Sequence, residues 1–312
     1  MDHSPDRPLD LFSTLLMILV CTIWGGAFVA IKIGLLDMPP LGSAALRFLL
    51  TTLVLVAWAR TQRVSLLYQW PEIRVLAVVA LLFCYFNLMI YVGTAHTTSG
   101  RATVFFYTQP VFLAVLAHYF LQGDRLTMRK GYGLILALCG LVALFLAKLS
   151  AGQSPTLVGD ILVLSGALAT AIQNVIIKRA AGKIHPVALT LWSSLVASLL
   201  LGVCSWGFEQ NASFVFSTRA VASLLYLSLI SAAFGFVAFA WLIQHNSATR
   251  VTALVFLAPV CGVLFGRLLL HETLTSVQLL GVAGICIGVY VVTSSGTLRV
   301  QAPLAEEAPA KA

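Results

Sequence analysis

Long apolar runs separated by short polar stretches dominate the hydrophobic pattern of this chain. A helix needs about 20 mostly apolar residues to cross a bilayer. Ten segments meet that need, at 12–33, 41–60, 74–95, 101–121, 130–148, 158–180, 186–207, 220–242, 249–270 and 275–295. They lack the period-2 alternation and the length of about 10 residues that membrane strands show. The pattern therefore predicts an all-α membrane protein with ten transmembrane helices.

The two halves of the chain repeat each other. Four residues recur 149 positions later, namely His96, Arg101, Thr103 and Pro110 as His245, Arg250, Thr252 and Pro259. Three more recur 148 positions later, namely Asp124, Gly133 and Gly140 as Glu272, Gly281 and Gly288. Each half holds five predicted spans, and an odd number makes the second copy insert in the opposite direction.

Inverted repeats are typical of secondary transporters, which bind substrate near the bilayer midplane where the repeats meet. We predict a first five-helix repeat over 11–148 and a second, inverted five-helix repeat over 158–295. A linker over 149–157 joins them, and a disordered cytoplasmic tail follows over 296–312.

Composition and charge agree with a multi-pass membrane protein. Apolar residues make up 60% of the chain and charged residues 10%, against roughly 25% charged in soluble proteins. The net charge of +8 follows topology: 13 Lys and Arg fall on one side of the predicted membrane, 5 on the other, and Arg47 within a span. The 5 are Lys32, Arg101, Lys148, Arg219 and Arg267. The positive-inside rule then places both termini in the cytoplasm. We expect a plasma (bacterial inner) membrane location and no nucleic-acid partner.

Enzyme and cofactor chemistry find little support in the sequence. The six cysteines all fall inside predicted spans without close pairs, so we expect packing residues, no metal and no cofactor. His271-Glu272 begins like a zinc-protease motif, but Thr275 stands where the second His is needed. An intramembrane enzyme is therefore a weaker alternative than a transporter. A passive metabolite channel stays open as a second alternative, because channels and transporters differ in gating more than in composition.

Several residues inside the repeats have a mechanical interpretation. Pro110 and Pro259 each remove a backbone hydrogen bond in mid-span, which predicts either a packing kink or a hinge of a gate. The glycines of the fifth and tenth spans predict close helix contact, either internal or in a homodimer. Asp124 and its counterpart Glu272 precede the fifth and tenth spans, where a carboxylate favours capping of the next helix.

These residues resemble a known family. Trp24-Gly25-Gly26-Ala27-Phe28 with Lys32, then Arg47-Phe48, Pro110, and Gly123-Asp124-Arg125-Leu126 are similar to motifs of the drug/metabolite transporter superfamily, EamA-type branch. The segment from His271 to Leu274 resembles the same motif in the second copy. The resemblance covers nearly the whole chain. It implies a ten-helix bundle that moves small metabolites, often amino acids outward, by alternating access.

Polar side chains in mid-span mark the candidate binding site, because polar groups in hydrocarbon are costly unless they serve a function. Repeat symmetry adds the first span, since two of its aromatic residues align with Thr170 and Asn174 of the sixth. The predicted substrate-binding residues are Trp24, Phe28, Asn87, Tyr91, Thr103, Tyr107, Gln173 and Asn174. For each, the alternative is a contact with a neighbouring helix or with lipid.

Charged residues complete the predicted mechanism. No acidic residue falls in the middle of a predicted span, so we expect a neutral or zwitterionic substrate and little or no proton coupling. Lys32 and Arg101 at the outer mouth, and their counterparts Lys178 and Arg250 at the inner mouth, are either cationic gates or snorkelling anchors. We predict a secondary transporter for amino-acid-like metabolites, an exporter or facilitator whose partners are the substrate and the bilayer.

Overall fold

The ten predicted spans are confirmed. A computed structural model describes residues 9–97, 99–146, 157–210, 212–270 and 275–294, and within them ten helical segments are long and apolar enough to cross a membrane. Leu157 is the one residue of the predicted linker among those described, and it begins a helix. The rest of that linker, residues 271–274 and the tail lie outside the described residues.

The helices are α1 (Leu11–Gly34), α2 (Pro40–Thr61), α3 (Trp70–His96), α4 (Ser99–Phe106), α5 (Gln109–Phe120), α6 (Met128–Phe145), α7 (Leu157–Arg179), α8 (Pro186–Phe208), α9 (Thr218–Leu225), α10 (Gly235–His245), α11 (Ala248–Leu254), α12 (Leu257–Leu270) and α13 (Ser276–Thr293).

Short polar residues set where these helices begin. The Asp10 carboxylate accepts the Ser13 N–H at 3.1 Å, and Thr127 accepts the Lys130 N–H at 3.3 Å. Thr275 forms a reciprocal capping box with Gln278. Such caps satisfy backbone donors that have no partner within the helix.

The fourth and ninth spans are both broken near their prolines. The fourth divides into α4 and α5, two residues apart, and Pro110 lies in the first turn of α5. The ninth divides in the same way into α11 and α12, with Pro259 two residues after the start of α12. Because Pro259 has no N–H, it cannot donate a hydrogen bond to the Val255 carbonyl. That carbonyl accepts the Ala258 N–H at 3.0 Å instead. The predicted kinks are therefore present in both repeats.

The eighth span contains an element that the sequence does not announce. Between α9 and α10 the backbone forms a π-helix over Tyr226–Phe234, which we call the π segment. Its wider turn leaves carbonyl groups that neighbouring helices satisfy. The Thr51 hydroxyl donates to Ser228 O at 3.1 Å, and Trp24 Nε1 donates to Ser231 O at 3.2 Å. π-Helical turns occur frequently at functional sites.

The two halves interlock through matched pairs of spans. The third span, α3, packs against α7, and correspondingly the eighth span packs against α1. The broken fourth span also packs against α7, and correspondingly α12 of the ninth span packs against α1. α2 packs against α8, and α6 against α13. Because most of the large contacts join one half to the other, the centre of the bundle is built from both.

The glycine faces of α6 and α13 contact each other within the chain. A Cβ on Gly140 would lie 2.6 Å from Ile285 N, and one on Gly288 would lie 2.5 Å from Ala137 N. Of the two predicted uses of these glycines, internal contact is the one that the structure contains. A homodimer through the fifth and tenth spans stays a prediction.

The outer surface is apolar. Large side chains on many helices stay exposed, among them Leu53, Ile135, Val203, Leu280 and Tyr290. An apolar surface of this extent suits hydrocarbon and not water. The chain is an integral multi-pass membrane protein.

Candidate substrate cavity

A cavity of about 210 Å³ lies between the two halves, near the middle of the bundle. Residues from α1, α2, α3, α7 and α8 line it, together with residues from the eighth span and from the breaks in the fourth and ninth. The lining residues include Trp24, Ile31, Arg47, Phe83, Phe86, Asn87, Phe106, Tyr107, Gln109, Thr170, Gln173, Asn174, Thr190, Ser193, Ser231, Phe236 and Phe239. Both repeats therefore contribute to one shared chamber.

Aromatic rings form a continuous wall of this cavity. Trp24 contacts Phe239 and Phe236, with ring centroids 5.2 and 5.6 Å apart. Phe236 contacts Phe83 at 5.4 Å, and Phe83 contacts Phe86 at 5.2 Å. The wall continues through Phe106 to Tyr107, with centroids 5.5 Å apart. These rings offer an apolar body a large contact surface that crosses from one repeat to the other.

Amide side chains provide the polar part of the wall. Asn87 Nδ2 donates to Phe83 O at 2.8 Å, which leaves its carbonyl oxygen for another donor. Asn174 Nδ2 and Gln109 Oε1 are buried and make no hydrogen bond among the described residues. Unpaired buried polar groups cost roughly 1–3 kcal/mol each. Beside a cavity, such a cost is offset when a bound molecule or water provides the missing partner.

Five of the eight predicted binding residues line the cavity: Trp24, Asn87, Tyr107, Gln173 and Asn174. For Phe28 and Tyr91 the backbone lies in α1 and α3, but the side chains are outside what the structure describes. Thr103 is not among the lining residues; it lies on α4, one turn before the break, and its carbonyl accepts the Tyr107 N–H at 3.0 Å.

Among the predicted cationic gates, Arg101, Lys178 and Arg250 do not line the cavity. Arg101 forms an ion pair with Asp160, which also accepts the Thr97 hydroxyl at 2.7 Å. Lys178 Nζ donates to the carbonyls of Gln244 and Asn246, at 3.0 and 2.6 Å, and so caps the end of α10. The side chain of Lys32 lies outside the described residues.

Arg250 corrects the snorkelling interpretation. Its side chain is only 1% exposed, among the most buried in the protein. A snorkelling anchor keeps its charged group in water, and Arg250 does not. It belongs instead to a sealed polar layer at the end of the bundle where α11 begins.

Asp124 organises that sealed layer, and it does not cap α6 as predicted. Lys130 Nζ donates to Asp124 Oδ1 at 3.0 Å, and the Ser247 hydroxyl donates to the same oxygen at 2.9 Å. The Thr249 N–H donates to Oδ2 at 2.8 Å. The carboxylate thus caps α11 of the second repeat, while Thr127 caps α6. Its predicted counterpart, Glu272, lies outside the described residues.

The opposite end of the bundle carries more exposed ion pairs. The Arg101 side chain of the pair with Asp160 is 32% exposed, and Arg219 in the pair with Asp37 is 57% exposed. Hydrogen bonds from Arg219 and Ser217 lower the pKa of Asp37 to about 2. Because its pKa is lowered, this carboxylate stays ionised at pH values below the ordinary pKa of an aspartate, about 3.9. This contact is therefore lost only as the pH falls toward 2 and does not respond to physiological pH changes.

Among the lining residues that escaped the sequence-based selection of the site are Arg47, Gln109 and Ser231. Arg47 stood out as a charge within a span, but no partner was evident for it. Gln109 lies beside Pro110, where the sequence drew attention to the kink and not to the amide. Ser231 enters the wall through the π segment, for which the sequence gave no signal.

A ten-helix bundle with a chamber shared by two halves defines a membrane transporter. The EamA-like transporter family matches the chain twice, over residues 11–146 and 157–294. The chain belongs to this family. Its class is that of a transporter and not of an enzyme.

Similar proteins agree with this assignment. The chain is 31% identical to the uncharacterized transporter YoaV of Bacillus subtilis, over 91% of this chain and 97% of that protein. It is 30% identical to a probable amino-acid metabolite efflux pump of Escherichia coli, over 88% of this chain and 93% of that protein. A crystal structure described only as that of a protein matches with a TM-score of 0.80 at 19% identity, covering 90% of this chain and 97% of that chain. At that identity the likeness supports the fold alone.

Proposed function

We propose that this protein moves small neutral or zwitterionic, amino-acid-like metabolites across the plasma (bacterial inner) membrane by alternating access, as an exporter or facilitator. The observation that carries the proposal is the cavity between the repeats, walled by aromatic rings and amides from both halves. The name of the Escherichia coli relative supports an amino-acid-like substrate. The positive-inside distribution supports cytoplasmic N- and C-termini.

Alternating access needs one end of the cavity closed while the other opens. The layer around Asp124 closes the end where α11 begins, because Asp124, Lys130 and Arg250 are 1–3% exposed. At the opposite end, the Arg101 and Arg219 side chains of the two ion pairs are partly exposed. We infer that the breaks before Pro110 and Pro259 act as hinges, since each joins a short helix at one end to a longer helix across the midplane.

The test is counterflow in proteoliposomes loaded with unlabelled L-leucine. A carrier is expected to accumulate labelled leucine transiently above its outside concentration, driven by the outward gradient of unlabelled leucine, and its exchange rate is expected to saturate. Uptake that rises linearly with concentration, with no exchange, supports a channel and contradicts the proposal.

Asn87→Ala and Asn174→Ala are expected to raise the KM for exchange by about 3- to 10-fold, the equivalent of one hydrogen bond each. Gln122→Ala is the matched control, because Gln122 is an exposed amide between α5 and α6. Unchanged kinetics in both asparagine variants, at normal membrane expression, would remove these residues from the site.

A further inference from the structure

Arg47 is the one charged side chain among the described residues that line the cavity. It lies in the second turn of α2, within a membrane span. A charged group at this depth is costly and generally marks a substrate or ion pathway. The position of Arg47 thus needs a functional explanation that the predicted gates do not supply.

The structure holds Arg47 against a fixed part of the wall. A terminal nitrogen of its guanidinium lies 3.5 Å from Ser231 Oγ, and its central carbon lies 5.2 Å from the centroid of the Phe48 ring. The π segment that carries Ser231 is fixed by Trp24 and Thr51 through the hydrogen bonds given above. Arg47 is therefore positioned at the point where α1, α2 and the π segment meet, beside the start of the aromatic wall.

The described part of the cavity wall contains no carboxylate. The described acidic residues lie in the first turn or at the cap of a helix, or in a loop between helices, namely Asp10, Asp37, Glu72, Asp124, Asp160 and Glu209. The described wall therefore has a positive charge at Arg47, and its other side chains are apolar groups, amides and hydroxyls. An anionic group in this cavity gains from that charge, and a cationic one is repelled.

Two further observations point to a bound molecule with both polar and apolar parts. Asn174 and Gln109 line the cavity and are 3% and 4% exposed. Asn174 Nδ2 and Gln109 Oε1 each have no hydrogen-bond partner among the described residues. The aromatic rings from Trp24 to Tyr107 provide an apolar surface in the same cavity. A cavity of about 210 Å³ is small beside the roughly 300–1,000 Å³ of drug-sized pockets.

We propose that Arg47 binds the carboxylate of the transported metabolite, whose class is a small monocarboxylate with an apolar body. This assignment rests on the proposed function and specifies its substrate. The planar guanidinium donates two parallel hydrogen bonds to a carboxylate, a geometry that an ammonium group does not reproduce. The apolar body of the metabolite packs on the aromatic wall.

A second, smaller recess supports a role for Arg47 on the substrate path. This recess of about 20 Å³ lies between α1, α2 and the eighth span, and it shares Ile31 and Arg47 with the main cavity. Its other walls include Gly34, Met38 and Ala220, which lie toward the ends of α1, α2 and α9 at the more exposed end of the bundle. Arg47 thus stands between the chamber and that end.

The test compares three probes of similar size on the purified full-length protein: L-leucine, L-leucinamide and 4-methylpentanoate. Arg47→Gln is expected to raise the Kd of leucine and of 4-methylpentanoate by roughly 10- to 100-fold. The Kd of leucinamide, which has no carboxylate, is expected to stay unchanged or to fall. Arg47→Lys keeps the charge but loses the fork, so it is expected to lie between the wild type and Arg47→Gln.

Arg60→Gln is the matched control, because Arg60 is exposed in the last turn of the same helix. Equal losses for all three probes, or no loss for the two carboxylates, would overturn the assignment. If Arg47→Gln does not fold, the ratio of the leucine and leucinamide Kd values in Arg47→Lys decides in the same way.

The outcomes separate this assignment from the proposed function. If 4-methylpentanoate binding depends on Arg47 but the wild type does not exchange leucine, the amino-acid-like substrate is refuted. The assignment of Arg47 as the carboxylate site then still stands. Leucine exchange by the wild type, with the leucine-to-leucinamide ratio unaltered in Arg47→Gln, keeps the function and refutes the site.

Discussion

Replacing Lys130 with methionine is expected to lower the free energy of unfolding by about 3–5 kcal/mol. The Lys130 and Asp124 side chains are 4% and 2% exposed, and their charged atoms lie 3.0 Å apart. Removing the ammonium leaves a buried carboxylate that keeps its hydrogen bonds from Ser247 and the Thr249 N–H but loses its ion-pair partner. An uncompensated buried charge, and not the lost attraction alone, makes this effect large.

Thermal unfolding in detergent, followed by tryptophan fluorescence, measures the change. Arg129→Met is the control, because it removes the neighbouring positive charge from an exposed position. The double variant Asp124→Asn with Lys130→Met removes both charges and is expected to recover part of the loss. If Lys130→Met is as stable as Arg129→Met, the buried pair does not contribute as described.

Gly140→Ala is expected to destabilise the contact between α6 and α13, by about 1–3 kcal/mol. The added Cβ would lie 2.6 Å from Ile285 N and 2.7 Å from Gly281 O. These are backbone atoms, so the clash is relieved only if the two helices separate. Separation in turn loosens the matching contacts of Gly133 and Gly288.

Gly131→Ala is the control on the same helix, where an added Cβ meets no atom within 4 Å. It is expected to be neutral or to stabilise the protein by up to about 1 kcal/mol, because alanine favours the helix. The two variants add the same methyl group, so their difference in unfolding temperature reports the close contact alone. Equal unfolding temperatures would mean that α6 and α13 are not packed through these glycines.

The sequence predicted the fold well because bilayer crossing imposes strong local rules. Long apolar runs located ten spans, and the recurrence of Pro110 as Pro259 located both broken spans. Repeat symmetry also helped with the site. It directed attention from Asn174 to the first span, and Trp24 does line the cavity.

What the sequence left out depends on contacts between distant residues. Asp124 bonds to Thr249, which is 125 residues away, and its neighbours in sequence favoured a cap of the next helix instead. The π segment has an ordinary apolar sequence, and its geometry depends on partners such as Trp24 in α1. Arg47 was visible as a charge within a span, but only the structure places it on the cavity wall.

The sealed layer has a consequence for the transport cycle. If the cavity opens toward the end where α11 begins, the contacts that Asp124 makes with Ser247 and Thr249 must break, since they join the two repeats. Lys130 lies in the same repeat as Asp124 and is free to stay with it. The ion pair can therefore travel as a unit, which limits the electrostatic cost of opening.

A single cysteine placed in the cavity reports whether one chamber is reached from both sides of the membrane. Ser193 lines the cavity and is 3% exposed, and Ser193→Cys in a chain otherwise free of cysteine gives one reactive thiol there. Alternating access predicts that a small, membrane-impermeant thiol reagent modifies it when added on either side, and that saturating leucine slows both reactions. Modification from one side only, with and without leucine, would contradict alternating access to a shared cavity.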